Sequence, residues 1–168
     1  MIEENDAYTG QYRDHIAKMM GSFIPRILHI EKLMNDITSR HFSSGDEGGV
    51  LFFYSLTPHV SFKKRIDIFM NVLRIHFNDI YRTYAKDLKK LYEIDDHRTH
   101  LEQQMLNRSE NILNNRDDSV ECPGRENGKS IMREIDHKEH ERKILMCSQV
   151  ATALKIIQRE VIVRAYHS

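Results

Sequence analysis

The chain has 168 residues, with 25 basic and 25 acidic side chains, ten histidines, two cysteines and no tryptophan. This length and composition predict one domain over 1–168 and exclude a disulfide framework or a cysteine zinc site. No run approaches the ~20 consecutive apolar residues of a membrane helix, and the acidic start lacks the order of a secretion signal. We therefore expect a soluble, cytoplasmic protein with no membrane contact, in which nucleic-acid binding would depend on a local basic patch.

The first element is a long helix, predicted by an apolar series whose spacings alternate between four and three. The series consists of Ile16, Met20, Phe23, Ile27, Ile30, Met34 and Ile37. Pro25 lies inside it and lacks a backbone donor, so we expect a kink or a break between about residues 20 and 25. The serine- and glycine-rich segment 43–49 then predicts a flexible loop.

A short apolar run over 50–56 is interpreted as a short helix, because its neighbours are helical. Ser61 then has the position of an N-cap for a further helix. Its expected buried residues are Phe62, Ile66, Phe69, Leu73, Phe77 and Ile80. The next helical stretch carries Tyr84, Leu88, Leu91 and Ile94 and continues through Leu101 and Met105.

From 114 to 133 the periodicity disappears, and Asn127-Gly128 predicts the turn of a small β-hairpin. Asp136 and Glu139 have the spacing of a capping box, which predicts the start of the last helix, expected over about 137–165. The apolar series of this helix is Ile144, Cys147, Val150, Leu154, Ile157 and Val161. Four long amphipathic segments predict an all-α protein, an up-and-down bundle of four to five helices with the hairpin before the last one.

Glu93, His97 and His100 share one helix face, which would suit a divalent metal ion. The alternative is a solvated surface with a local ion pair between Asp95 and Arg98. We favour the second interpretation and predict neither a metal site nor a cofactor.

A second polar cluster over 136–141 includes His137 and His140. It lacks the order of a His-Glu-x-x-His zinc motif, and we interpret it as a charged first helical turn, where acidic groups are stabilised by the helix dipole. Cys147 falls within the apolar series and is expected to be a buried small hydrophobe.

Three stretches carry a family resemblance. They are Ile30-Glu31 and Met34 to Phe42, then Val60-Ser61-Phe62 running into Arg65-Ile66-Asp67-Ile68, then Leu88, Leu91 and Ile94 leading to Arg98. Together they resemble HEPN-like proteins, the all-helical superfamily of higher eukaryotes and prokaryotes nucleotide-binding proteins. The resemblance spans roughly residues 28–165. It implies a dimer in which an arginine and a histidine cleave RNA without metal, through attack by the ribose 2′-hydroxyl.

In this comparison Arg98 matches the motif arginine, Thr99 stands where asparagine is usual, and Gln103 occupies the place of the histidine. A glutamine side chain does not titrate and cannot carry a proton during catalysis. His100 lies two residues from Arg98, displaced from the motif position. The resemblance therefore implies a catalytically impaired member of the superfamily.

Three functional hypotheses follow. The leading one is an impaired HEPN-like protein that binds RNA or a protein partner, such as a cognate antitoxin, in a toxin–antitoxin or phage-defence setting. Its contact residues, around a cleft at Arg98, are Arg98, Thr99, Gln103, Lys89 and Lys90. The second is an active metal-independent ribonuclease toxin that uses Arg98 and His100. The third is a homodimeric helical interaction module with no nucleic-acid role.

Overall fold

Four helices make up the part of the chain that the structure describes. The computed structural model describes residues 2–43, 59–114 and 137–167, with side chains at 14–41, 59–106 and 137–164. The helices are α1 (Ile2–Ser43), α2 (Phe62–His76), α3 (Asn78–Asn114) and α4 (His137–His167). These residues contain no β-strand, so the all-helical prediction is confirmed for them. The predicted loop beyond Ser43, the short helix over 50–56 and the β-hairpin lie outside the described residues.

Helix α1 continues through Pro25, so of the two predicted alternatives, a kink or a break, the break is absent. Pro25 removes the backbone donor that would reach the carbonyl of Gly21, but the residues on either side of it are anchored. Phe23 is fully buried and Ile27 is 2% exposed, whereas Pro25 itself faces solvent. Burial of this apolar stripe offsets the local cost of the proline, because tertiary packing supplies most of the stability of a helix in a protein.

Ser61 is the N-cap of α2, as predicted, and its hydroxyl oxygen accepts a hydrogen bond of 3.3 Å from the backbone N–H of Lys64. The helix was expected to continue to Ile80, and this expectation is wrong. Phe77 leaves the helical conformation, with φ −135° and ψ 49°, and its N–H donates to the carbonyl of Leu73 at 2.9 Å. The chain turns at this residue, and α3 starts at Asn78.

Helix α3 runs antiparallel to both α2 and α4. Against α2, the Arg98 guanidinium lies over Phe62 and the Tyr92 hydroxyl donates to Asp67 at 2.9 Å. Against α4, residues further along α3 meet residues nearer the start of α4. The contacts in that order are Tyr84 with Glu160, Lys90 with Gln149, Glu93 with Lys143, and His97 with His140.

Helices α1 and α2 run in the same direction, and the segment between them, where a further short helix is predicted, lies outside the described residues. Glu31 pairs with Arg65 near the start of α2 at 3.1 Å, and the rings of His41 and His76 lie 4.0 Å apart at its end. Burial, together with the neighbouring imidazole of His76, lowers the pKa of His41. Sequence periodicity gives no information on helix direction, because it identifies only the apolar face.

The core lies between all four helices and contains the predicted stripes. Phe23, Phe62 and Phe69 are fully buried, and each stabilises the fold by about 1.5–3 kcal/mol relative to an exposed side chain. Cys147 is buried, as predicted, at 1% exposure, and burial raises the pKa of its thiol to about 11. None of the described helices combines the length and hydropathy needed to cross a bilayer.

Candidate functional site

Arg98 is held by groups of its own molecule. Its Nε lies 3.8 Å from Oδ1 of Asp95 and 3.5 Å from Oε1 of Glu102, both on α3. Its guanidinium carbon lies 5.3 Å from the ring centroid of Phe62, the first residue of α2. This is cation–π distance, so Arg98 links the middle of α3 to the start of α2. The expected ion pair between Asp95 and Arg98 is present.

The interaction of Arg98 with Asp95 is electrostatic. The residue is 6% exposed, and burial raises the pKa of its carboxyl while the Arg98 guanidinium opposes that rise. Arg98 therefore favours the ionised form of a nearly buried carboxyl group, as Lys63 also does. Nε of Arg98 is itself buried and makes no hydrogen bond to any described residue, so the interaction is an ion pair.

The other predicted site residues on α3 do not converge with Arg98. His100 is two positions away, which places it about 200° around the helix from Arg98. Its Nε2 lies 3.1 Å from Nε2 of Gln104. Thr99 and Gln103 are exposed, and Gln103 lies about 140° around the helix from Arg98. Within one chain, the motif positions therefore belong to different faces of α3.

The two predicted lysines have different environments. Lys90 donates to Oδ1 of Asp87 at 2.7 Å and to Oε1 of Gln149 at 3.0 Å, so its ammonium links α3 to α4. Lys89 is exposed and forms no ion pair with the described side chains.

Lys89 belongs to a row of three exposed bases, which we call the basic row: Arg82, Lys86 and Lys89. Spacings of four and three place them on one side of α3. In the described part of the chain no acidic side chain pairs with them. The acidic residues of this segment are engaged by other bases, in the pairs Asp79 with Arg164, Asp87 with Lys90, and Glu93 with Lys143. The basic row is consequently a local positive surface on a chain of zero net charge.

A second polar group crosses the bundle between α1, α3 and α4. Ser22 Oγ lies 3.0 Å from His140 Nε2, and His140 Nδ1 lies 3.1 Å from His97 Nε2. We call these three residues the histidine chain. His97 is 6% and His140 5% exposed, and Phe23 packs beside them, with its ring centroid 5.0 Å from that of His97 and 5.8 Å from that of His140.

The hydrogen bonds fix the direction of the histidine chain. The Ser22 hydroxyl donates to the carbonyl of Met19 at 2.8 Å, so it accepts from Nε2–H of His140. Nδ1 of a neutral His140 is then the acceptor for Nε2–H of His97. Burial lowers the pKa of His97 to about 4 and also lowers that of His140. The lowered pKa values favour neutral imidazoles, in which each donor of the histidine chain faces an acceptor.

The metal interpretation of the α3 face has no support in this geometry. His97 uses Nε2 toward His140, and Glu93 pairs with Lys143 at 3.1 Å. Among the described residues no group of three or more histidine, cysteine, aspartate or glutamate side chains is arranged to hold a metal ion.

Sequence reasoning missed the histidine chain, because it assigned His97 to a solvated surface and His140 to a charged first turn. Both assignments are wrong, since the two side chains are buried. A signal was present in the sequence: His140, Cys147 and Leu154 are spaced by seven, which places the histidine on the buried stripe of α4. The contact with Ser22 joins residues 118 positions apart, and no local pattern indicates it.

No family model, curated protein or solved structure matches this chain.

Proposed function

We propose that this chain is a catalytically impaired HEPN-like protein that binds RNA in the cytoplasm without cleaving it, in a toxin–antitoxin or phage-defence setting. The contact surface is the outer face of α3, with the basic row at one end and the exposed Thr99 and Gln103 further along. Lysine and arginine on such a surface bind phosphates by releasing counterions, independently of base sequence. Thr99 and Gln103 add side chains that can hydrogen-bond phosphate or ribose.

The observation that carries this proposal is the contrast between Arg98 and the basic row. Arg98 is engaged with Asp95, Glu102 and Phe62, whereas the exposed bases of the row have no acidic partner among the described side chains. The ribonuclease alternative requires Arg98 and His100 to reach one phosphodiester. Their separation around α3 gives that alternative less support within a single chain.

The test is the affinity for a fluorescein-labelled single-stranded RNA, measured by anisotropy over a range of salt concentrations. Three phosphate contacts predict a slope of log K against log salt of about −2. Replacing Arg82, Lys86 and Lys89 by glutamine should reduce affinity at low salt at least tenfold. The charge-matched control replaces three exposed bases elsewhere, Lys32, Lys155 and Arg159, and should bind as the wild type does.

Two results would contradict the proposal. One is an absence of RNA binding at low salt. The other is cleavage of the RNA in the presence of EDTA that Arg98→Ala and His100→Ala both abolish, because that result would establish the ribonuclease alternative.

A second candidate function, the homodimeric interaction module, is favoured by the outer face of α4. Leu145, Ile156 and Val163 are 60%, 40% and 55% exposed, and their spacings of eleven and seven place them on one side of the helix. The three side chains are spread over about 27 Å of helix. The area that they can bury is smaller than that of a standard interface, so a dimer formed through them alone would be weak. Sedimentation should show a dimer that Ile156→Glu dissociates and that the control Leu28→Glu, on α1, leaves intact; a monomer at all concentrations would exclude it.

A further inference from the structure

The histidine chain joins three helices that are far apart in the sequence. Ser22 lies in the middle of α1, His97 in α3, and His140 in the first turn of α4. The two imidazoles meet through one hydrogen bond of 3.1 Å in a buried layer. The first turn of α4 is therefore held by two buried histidines, a residue type whose unperturbed side chain takes up a proton in mildly acidic solution.

We propose that the histidine chain is an acid-sensitive latch, which holds the start of α4 against α1 and α3 when both imidazoles are neutral and releases it when they take up protons. The proposal does not depend on RNA binding, since it concerns a different face of the bundle.

The number of protons on the two imidazoles explains why acid releases the start of α4. With both imidazoles neutral, one hydrogen lies between His97 Nε2 and His140 Nδ1. A first proton leaves this bond in place but puts a cation into a buried layer, which burial disfavours. A second proton places N–H groups on both facing nitrogens, so the bond is lost and two like charges lie side by side.

The charged groups near the two imidazoles also disfavour their protonation in the closed state. The charged and titratable groups around the two imidazoles are His15 and Arg26 on α1, Glu93 and His100 on α3, and His137, Glu141 and Lys143 on α4. Among those that act on His140, only Glu141 favours its charged form. Near His97, Lys143 is 8% exposed and disfavours a second cation there.

The size of the predicted change in the opening of α4 follows from proton linkage. The pKa of His97 is lowered from 6.5 to about 4, so an opened or unfolded chain takes up this proton first as the pH falls below 6.5. The stabilisation is complete above that pH and is lost as the pH falls toward 4. His97 alone should raise the opening constant of the first turns of α4 about 20-fold between pH 7 and pH 5.

The experiment is amide hydrogen exchange followed by mass spectrometry at pH 7 and pH 5, corrected for intrinsic exchange rates, on peptides that cover 137–147. In the wild type, exchange of these peptides should be faster at pH 5 than at pH 7. His97→Gln should reduce the increase at least fivefold, because the glutamine amide can donate to His140 or, after rotation, accept from it. His29→Gln, an exposed position on α1, is the matched control and should keep the wild-type increase. An equal increase in His97→Gln would overturn the proposal.

A second measurement covers the case in which His97→Gln does not fold. Imidazole ¹⁵N chemical shifts of the wild-type chain report the tautomer and the titration of each ring. The latch requires neutral rings at pH 7 with the proton on Nε2 of both His97 and His140. Rings that are charged at pH 7, or that carry the proton on Nδ1, would overturn it.

Discussion

Arg98→Met separates a structural from a functional role for this arginine. Methionine keeps much of the apolar stem but removes the charge that faces Asp95, Glu102 and the ring of Phe62. The cation–π contact contributes about 1 kcal/mol, and the pair with the more exposed Glu102 contributes about 0.5 kcal/mol. Leaving the nearly buried Asp95 carboxylate without its cation costs about 1 kcal/mol more. We expect Arg98→Met to lower the free energy of unfolding by about 2.5 kcal/mol at pH 7.

The pH dependence identifies the cause of this loss. Burial already raises the pKa of Asp95, and removing Arg98 raises it further. A folded-state pKa above the unfolded one means that the folded chain takes up the proton first as the pH falls. The destabilisation by Arg98→Met should therefore shrink between pH 7 and pH 4, and adding Asp95→Asn should recover about 1 kcal/mol at pH 7.

Urea denaturation followed by circular dichroism measures these differences, with Arg82→Met on the outer face of α3 as the control. The control should change the free energy of unfolding by less than about 0.5 kcal/mol, as is usual for exposed positions. A change below about 0.5 kcal/mol for Arg98→Met, or no recovery with Asp95→Asn, would refute the structural role.

Three further predictions concern α1, α4 and the contact of α3 with α2. Gly21→Ala should raise the free energy of unfolding by about 0.5–1 kcal/mol, because an added Cβ meets nothing within 4 Å; thermal denaturation will show this, and a lowered Tm would contradict it. In a Cys122→Ser background, Cys147 should react with a thiol reagent at pH 8 only after denaturant is added, since burial raises the pKa of its thiol to about 11; rapid native labelling would disprove its burial. Burial and the Asp67 carboxylate raise the pKa of Tyr92 to about 12, so stability should fall as the pH rises above 10, and Tyr92→Phe should reduce that fall in urea titrations; an unchanged fall would count against the contact.

Local signals in the sequence were sufficient to predict the described helices and most of their buried residues. Ser61 begins α2, and Phe62, Ile66 and Phe69 are buried as their spacing predicts. The predicted end of α2 was wrong, because the Phe77 side chain fits the apolar series while its backbone makes the turn. A periodic pattern continues across a sharp turn when both helices bury the same side, so periodicity alone does not locate the turn.

The candidate site depended on information that the sequence does not carry locally. The resemblance placed Arg98, Thr99 and Gln103 in one motif, but only the packing of α2 on α3 shows that Arg98 faces Phe62. The pairing of His97 with His140 requires the register between α3 and α4. Both histidines lie on apolar stripes, a sign of burial that the sequence interpretation overlooked, and only the tertiary structure identifies their partners.

The most direct test of the proposed RNA-binding surface compares RNA binding by two variants under identical low-salt conditions. Arg98→Met, assayed where it is fully folded, should bind single-stranded RNA within about twofold of the wild type, because Arg98 is engaged with Asp95, Glu102 and Phe62 and lies outside the proposed phosphate contacts. The variant with Arg82, Lys86 and Lys89 replaced by glutamine should lose at least about tenfold, as expected when phosphate contacts are removed. Loss of binding in Arg98→Met with binding retained in the triple variant would contradict it.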